Sequence, residues 1–167
     1  MAAGATYEPI ATQTLASAAS NITFSSIASS WTDLRVVLTG TTVSGSPSPL
    51  IQFNSDTGTN YSYTRLTGNG TIAASAASTN TAGIGCSILT GFNSSTPSFA
   101  SFDIFSYAGG TYKTVLVTSE NDRNGSGSTE RIVGLWRSTS AITTVNLNNP
   151  SQFGTGTTAT LYGIKAA

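Results

Sequence analysis

Short runs in which apolar and polar residues alternate recur along this chain of 167 residues, and they constrain its fold more than any other feature. The clearest run lies between Thr32 and Val43, where Leu34, Val36 and Leu38 share one face. A period of two residues is typical of β-strands, because successive side chains of a strand point to opposite faces. No run has the period of about 3.6 residues that marks a helix longer than a turn or two. About eight to ten such runs, with no helices between them, predict an antiparallel β-sandwich or barrel.

The stretch Pro49–Gly68 contains two of these runs, Leu50–Phe53 and Tyr61–Leu66. We predict that they form a hairpin-like pair around which the other strands are arranged. The link between them, NSDTG at residues 54–58, suits a turn because Asn and Asp hydrogen-bond to nearby backbone and Gly accepts a positive φ. The link also has oxygen-bearing side chains at alternate positions, as a calcium loop does, but Arg65 stands where a bidentate Glu would close an EF-hand. A plain turn is favoured, and no metal is expected.

The remaining segments are assigned in the same way. Tyr7–Leu15 is a candidate first strand or an extended arm, and Pro9 favours an edge position because it lacks a backbone donor. Residues 69–82 are poor in large apolar side chains and are interpreted as a long loop or a connection between sheets. We expect residues 1–19 to form an extended N-terminal arm that a neighbouring subunit orders, and residues 20–167 to form a single β-sandwich domain. The predicted core contains Leu34, Val36, Leu38, Phe53, Phe102, Ile104, Val115, Val117, Leu135 and Leu161.

Charged residues are scarce: seven Lys and Arg balance seven Asp and Glu, so the formal net charge is zero. Nucleic acid and acidic membranes are not expected as partners, because both require a clustered basic surface. No stretch approaches the ~20 apolar residues of a membrane span, and the N-terminus lacks the basic region and continuous apolar core of a secretory signal. A surface with so little charge favours association with other copies or with a larger assembly.

The residue types that catalysis usually requires are few. Histidine is absent, so neither a Ser-His-Asp triad nor a His-based metal site can form. Cys86 is the only cysteine, which excludes an intrachain disulfide, and we predict that it is a small buried apolar residue. Glu120 and Asp122 are a conceivable glycosidase pair, but they border the glycine-rich loop at residues 121–129, and solvating that loop is the simpler role. We therefore predict no enzymatic activity and no cofactor.

Four aromatic residues are candidates for an interface. Tyr107 and Trp136 lie in predicted strands that carry more aromatic and apolar residues than one core requires. Trp31 directly precedes the clearest strand, and Tyr7 lies in the expected arm. Exposed Trp and Tyr could instead stack on sugars, but a Trp in an apolar strand more often belongs to a core or a subunit contact. All four are therefore candidate interface residues, and the core is the alternative for a tryptophan in an apolar strand.

Several motifs resemble those of virion structural proteins of tailed bacteriophages, with phages of cyanobacteria and marine bacteria the nearest. The motifs are SWTDLRVVLTG at 30–40, LIQFNSDTGTNYSYTRLTGNG at 50–70, YKTVLVTSEND at 112–122, IVGLWRSTSAITTVNL at 132–147 and ATLYGIKAA at 159–167. The likeness runs from Tyr7 to Lys165, although the loop at 69–82 and the stretch at 84–97 match only in composition. It implies a jelly-roll type of β-sandwich.

The resemblance also implies a role on the virus particle. The expected role is that of a capsid decoration (cement) protein, a homotrimer that binds the major capsid protein on the outside of the head and stabilises it. Synthesis would take place in the host bacterial cytoplasm. The alternative is a tail-fibre or baseplate-associated module that recognises a host surface glycan. The chain shows no long trimerising shaft, which favours decoration.

Overall fold

The computed structural model describes residues 6–165, and these residues form twelve β-strands and no helix. All strand pairings are antiparallel. The strands are β1 (Tyr7–Thr14), β2 (Ala19–Phe24), β3 (Asp33–Gly40), β4 (Leu50–Phe53), β5 (Tyr61–Gly68), β6 (Ala73–Thr81), β7 (Ile84–Gly85), β8 (Ser98–Phe105), β9 (Lys113–Asn121), β10 (Ser128–Trp136), β11 (Val145–Phe153) and β12 (Thr158–Ile164). The prediction of an all-β, antiparallel sandwich is confirmed.

The strands make two sheets of unequal size. The larger has eight strands in the order β1-β12-β3-β8-β9-β10-β5-β6, and the smaller has four in the order β2-β11-β4-β7. A single buried apolar cluster contains side chains from both, such as Val117 of the larger sheet and Leu147 of the smaller. Each central strand of the larger sheet therefore has an inner face towards this core and an outer face towards solvent.

Nine of the ten predicted core residues are fully buried; the exception is Leu135. The nine are Leu34, Val36, Leu38, Phe53, Phe102, Ile104, Val115, Val117 and Leu161. In β10 the inward positions are instead those of Ile132, Gly134 and Trp136, while Leu135 is only half-buried on the outer face. The sequence RIVGLWR is apolar on both faces, so alternation alone did not say which face is buried, and the prediction for Leu135 was wrong.

The predicted hairpin between β4 and β5 does not form, because the two strands belong to different sheets. β4 pairs with β11 and β7, whereas β5 pairs with β10 and β6. Asn54 and Ser55, with φ of 51° and 58°, turn the chain out of the smaller sheet. The link at residues 54–60 is thus a crossover between the layers of the sandwich. The sequence correctly predicted a turn in this link, but it wrongly predicted that the strands on either side of the link pair with each other.

The strand count exceeds the prediction mainly because residues 69–82, interpreted as a loop or connection, contain a strand of nine residues. This strand, β6, pairs along its length with β5 and lies at one edge of the larger sheet. Nearly all of its side chains are exposed, so it buries no apolar face that could produce a periodic pattern. Its backbone pairing alone makes it a strand.

The expected arm also differs from the structure. Residues 7–14 form β1, which pairs with β12 of the same chain at the other edge of the larger sheet. The chain's own sheet thus orders this segment, where a neighbouring subunit was expected to do so. Residues 1–5 of that segment lie outside the described residues. The edge position inferred from Pro9 is confirmed, and the pairing register shifts between Pro9 and Ala11.

Candidate binding surfaces

Tyr107, predicted at an interface, is fully buried inside the chain. Its hydroxyl donates a hydrogen bond to the carbonyl of Ala28 and accepts one from the backbone N–H of Trp31 at 3.2 Å. Burial raises the pKa of this phenol, which keeps it a donor. Tyr107 therefore fastens the loop before β3 onto the end of the sandwich and offers no surface to a partner.

Trp136 is also buried, with 2% of its surface exposed. Its ring lies 5.5 Å from that of Phe53 and 6.2 Å from that of Tyr61, measured between centroids. Its indole Nε1 donates to Oδ2 of Asp56 at 2.7 Å. The tryptophan thus joins the two sheets and the crossover between them, so its role is in the core.

The carboxylate of Asp56 accepts several hydrogen bonds in and around this crossover. Beside the bond from Trp136, its carboxylate accepts the backbone N–H of Gly58 at 2.9 Å and the Nδ2 of Asn60 at 3.0 Å. Partial burial acts to raise its pKa, but these donors outweigh that effect and hold the pKa of Asp56 below its ordinary value. The oxygen pattern that resembled a calcium loop is therefore used to accept protein hydrogen bonds. Within residues 6–165, no three His, Cys, Asp or Glu side chains cluster as ligands for a metal ion.

The other two predicted interface residues, Trp31 and Tyr7, reach the surface. Trp31 is half-buried against Gly163, and the Nζ of Lys165 lies 4.7 Å from the centre of its ring. Tyr7 is 44% exposed and stacks on Tyr162 with 4.6 Å between ring centroids. Both residues are accessible to solvent, whereas the side chains of Tyr107 and Trp136 are buried. The four do not form one surface.

A larger apolar surface lies on the outer face of the eight-stranded sheet, and sequence reasoning missed it. The cross-strand register places Leu116 of β9 directly opposite Val133 of β10. Val133 is 48% exposed and Leu66, in the neighbouring strand β5, is 60% exposed. We call the set Leu66, Phe105, Leu116, Val133 and Leu135 the outer-face patch. The apolar residues on both faces of RIVGLWR did indicate an exposed apolar face in this strand. The sequence predicted Trp136 on that face, whereas the exposed face carries Val133 and Leu135.

An open cavity of about 790 Å³ lies at one end of the same outer face. Phe99, Glu120 and Thr129 are neighbours across β8, β9 and β10 and form its floor. The turn between β5 and β6 contributes Asn69, and the loop between β9 and β10 contributes Asp122. We call this the end cavity. The two carboxylates singled out in the sequence therefore line one cavity, together with the aromatic ring of Phe99, which no sequence motif had pointed to.

The loop between β9 and β10 is held to its neighbour rather than merely solvated. Asn121 is buried, and its Nδ2 donates to the carbonyl of Gly91 at 2.7 Å. Arg123 donates through Nη2 to the carbonyls of Thr90 at 2.6 Å and Gly91 at 2.9 Å. Within the loop, Oδ1 of Asp122 accepts the N–H of Gly125 at 2.7 Å. These bonds fix the wall of the end cavity.

Two buried polar residues near these surfaces have structural roles. Glu130 is 2% exposed, and its carboxylate accepts the backbone N–H groups of Ile88 and Leu89, which secures the segment after β7. Cys86 is fully buried, as predicted, and burial together with the nearby Glu130 raises the pKa of its thiol. A thiol held protonated is a poor nucleophile. Neither residue points to chemistry at a site.

Comparison with known proteins adds no relative: the chain matches no protein-family model, and no curated protein is significantly similar to it. Residues 6–165 include no helix that is long and apolar enough to cross a membrane. What the structure offers for function is therefore the outer-face patch and the end cavity.

Proposed function

We propose that this protein is a non-enzymatic structural component of a tailed-bacteriophage virion, a decoration (cement) protein on the outside of the capsid. The resemblance of its motifs to virion structural proteins supports the viral assignment. The outer-face patch supports the proposal that the protein binds another protein, since no element within residues 6–165 covers the exposed side chains of Leu66, Phe105 and Val133. Several exposed large apolar side chains on one face of a sheet are typical of a protein interface.

The proposed partner of this patch is the major capsid protein. Burying one exposed Val or Leu side chain contributes about 1.5–3 kcal/mol. The Arg35–Asp103 ion pair, with 3.3 Å between Nε and Oδ1, lies beside the patch and supplies the polar rim of such an interface. A ligand that binds neighbouring capsomers only in the assembled shell stabilises that shell by mass action. The protein would act in this way, without catalysis.

The proposed assembly is a homotrimer on the capsid exterior. A symmetric trimer fits a three-fold position of an icosahedral shell, which supports this number over others. A net charge of zero makes self-association inexpensive. A three-fold contact joins two different surfaces of the chain, so the open edge of β6 would accept a segment other than β6 from the next copy. Neither nucleic acid nor membrane is proposed as a partner.

Substituting Val133 with Asp tests the role of the outer-face patch. A charge in the middle of an apolar interface must be desolvated without a partner, so affinity for heads lacking the protein should fall at least about tenfold. Such heads are incubated with each variant, and the bound amount and the temperature of DNA release are measured. The native protein should bind and raise that temperature, whereas the Val133→Asp variant at the same concentration should bind less and raise it less.

Val43→Asp is the matched control, because Val43 is 50% exposed in the loop after β3, against 48% for Val133. This variant should bind heads and stabilise them as the native protein does. Equal binding by Val133→Asp and the native protein would refute the patch as the capsid-binding surface. Heads that gain no heat resistance from the native protein would refute the cement role itself.

A further inference from the structure

We infer that the end cavity is a binding site for a neutral saccharide, a function separate from capsid binding by the outer-face patch. The floor of the cavity is a row of three side chains across adjacent strands. Phe99 lies opposite Glu120, which in turn lies opposite Thr129. An apolar ring, a carboxylate and a hydroxyl are thereby presented side by side, about one strand spacing apart. A pyranose has matching groups, an apolar C–H face and a rim of hydroxyls.

The polar groups of the cavity are available to a ligand. The carboxylate of Glu120 accepts no hydrogen bond from any of residues 6–165, and its side chain is exposed on the floor. Asn69 uses its Oδ1 to accept the N–H groups of Thr71 at 3.0 Å and Ile72 at 2.9 Å, which leaves its amide NH₂ to donate. A sugar hydroxyl both donates and accepts, so one hydroxyl can satisfy Glu120 while another accepts from Asn69.

The charge of the cavity selects among saccharides. Glu120 and Asp122 are both acidic, and neither lysine nor arginine is among the residues that line the cavity. An acidic sugar would place its own carboxylate beside two like charges, which is unfavourable. A neutral sugar supplies hydroxyl donors to the same carboxylates at no such cost. The apolar ring of Phe99 adds a surface for the C–H face of the sugar.

The walls of the cavity are held in place before a ligand binds. Arg123 and Asn121 tie the loop between β9 and β10 to residues 90 and 91, and Asn69 closes the turn between β5 and β6. A site that is already ordered loses little conformational entropy on binding. The cavity is open to solvent, and its volume of about 790 Å³ is large enough to hold a sugar.

Titration of the full chain with maltotriose, cellotriose and mannotriose, followed by backbone amide chemical shifts, tests this inference. At least one trisaccharide should bind with a Kd of about 1 mM or tighter and shift the amides of Gly68, Gly125 and Thr129. Glu120→Gln keeps the shape of the side chain but removes the carboxylate, and it should weaken binding at least about tenfold. Glu8→Gln, which removes the same charge from β1, should bind as the native protein does. Thermal unfolding of each variant verifies that it is folded.

Three outcomes would overturn the inference. The first is that none of the trisaccharides shifts these amides, and the second is that Glu120→Gln binds them as tightly as the native protein. The third is that choline shifts the amides while the trisaccharides do not, which would make the cavity a cation site. Sialyllactose, an acidic saccharide, should bind more weakly than the best neutral one. Because Glu120→Gln leaves the outer-face patch intact, it should still bind heads, so the two proposals fail independently.

Discussion

At the scale of single residues, Asp56 shows how one side chain can join several elements. It lies in the crossover between the sheets and accepts hydrogen bonds from the indole of Trp136, the amide of Asn60 and the backbone of Gly58. Asn54, two residues earlier, accepts the N–H groups of Thr143 at 2.9 Å and of Thr144 at 3.1 Å. The crossover is thereby fastened both to β10 and to the loop before β11.

Substituting Asp56 with Asn should make stability less dependent on acid pH. The hydrogen bonds lower the pKa of Asp56 in the folded state below its ordinary value of 3.8. Its contribution, about 1 kcal/mol, is therefore complete above the unfolded-state pKa and is lost as the pH falls through the folded-state pKa. The free energy of unfolding in urea should differ between native and variant proteins at about pH 6, and the difference should shrink towards about pH 2.

Trp136→Phe supplies a control for this prediction, since it removes the indole donor but keeps an aromatic ring. This variant should show a weaker acid dependence of the same sign, because one of the donors that lower the pKa of Asp56 is gone. A difference between native protein and Asp56→Asn that is constant over the whole pH range would show that the folded state does not favour the ionised form of Asp56.

At the scale of elements, the two edges of the eight-stranded sheet are unlike. At one edge, β1 carries Glu8 and Pro9 and has a register shift, features that hinder the addition of another strand. At the other edge, β6 has nine residues, AASAASTNT, with no charge and no proline. Natural sheets usually protect such an edge. Its unprotected state makes β6 the element through which we expect copies of the chain to associate.

Placing a lysine on this edge should reduce self-association. Ala77 is exposed on β6, and Ala77→Lys introduces a charge that a pairing strand would have to accommodate. Sedimentation velocity over a range of concentrations should show a smaller associated fraction for this variant than for the native protein. Ser17→Lys adds the same charge in the exposed loop between β1 and β2 and should associate normally. Indistinguishable association of all three proteins would exclude β6 as the contact.

At the scale of the whole molecule, both candidate binding surfaces lie on the outer face of the larger sheet. The outer face of the larger sheet carries the outer-face patch in its middle and the end cavity at one end. Most of the patch and the floor of the cavity lie on strands β8, β9 and β10, which are central in that sheet. Such an arrangement would allow one protein to be fixed to a shell at the patch while the cavity, at the end of the sandwich, stays accessible.

The proposed oligomer is tested by light scattering coupled to size exclusion. The mass in solution should be near three times the chain mass of 17.0 kDa. A mass of one chain at every concentration would refute the homotrimer, and a mass of two chains would replace it by a two-fold dimer.

The sequence by itself determined the class of fold and most of the core. Leu34, Val36 and Leu38 had to share a buried face, because in a strand they lie on the side that is wholly apolar, and that side must leave water. The burial of Cys86 and the edge position of Pro9 followed in the same way from local chemistry. Glu120 and Asp122 were also singled out, although the cavity around them was not.

Only the tertiary structure decided which strands pair and which face of an ambiguous strand is buried. β4 and β5 are adjacent in sequence but belong to different sheets, and β6 is a strand because β5 supplies its backbone partners. In β10, Ile132 and Trp136 are buried in the core, whereas Val133 and Leu135 lie on the outer face and form part of the outer-face patch. The periodicity of a sequence describes one strand at a time. Which strands pair, and which face of a strand is buried, depend on contacts with residues far away in the sequence.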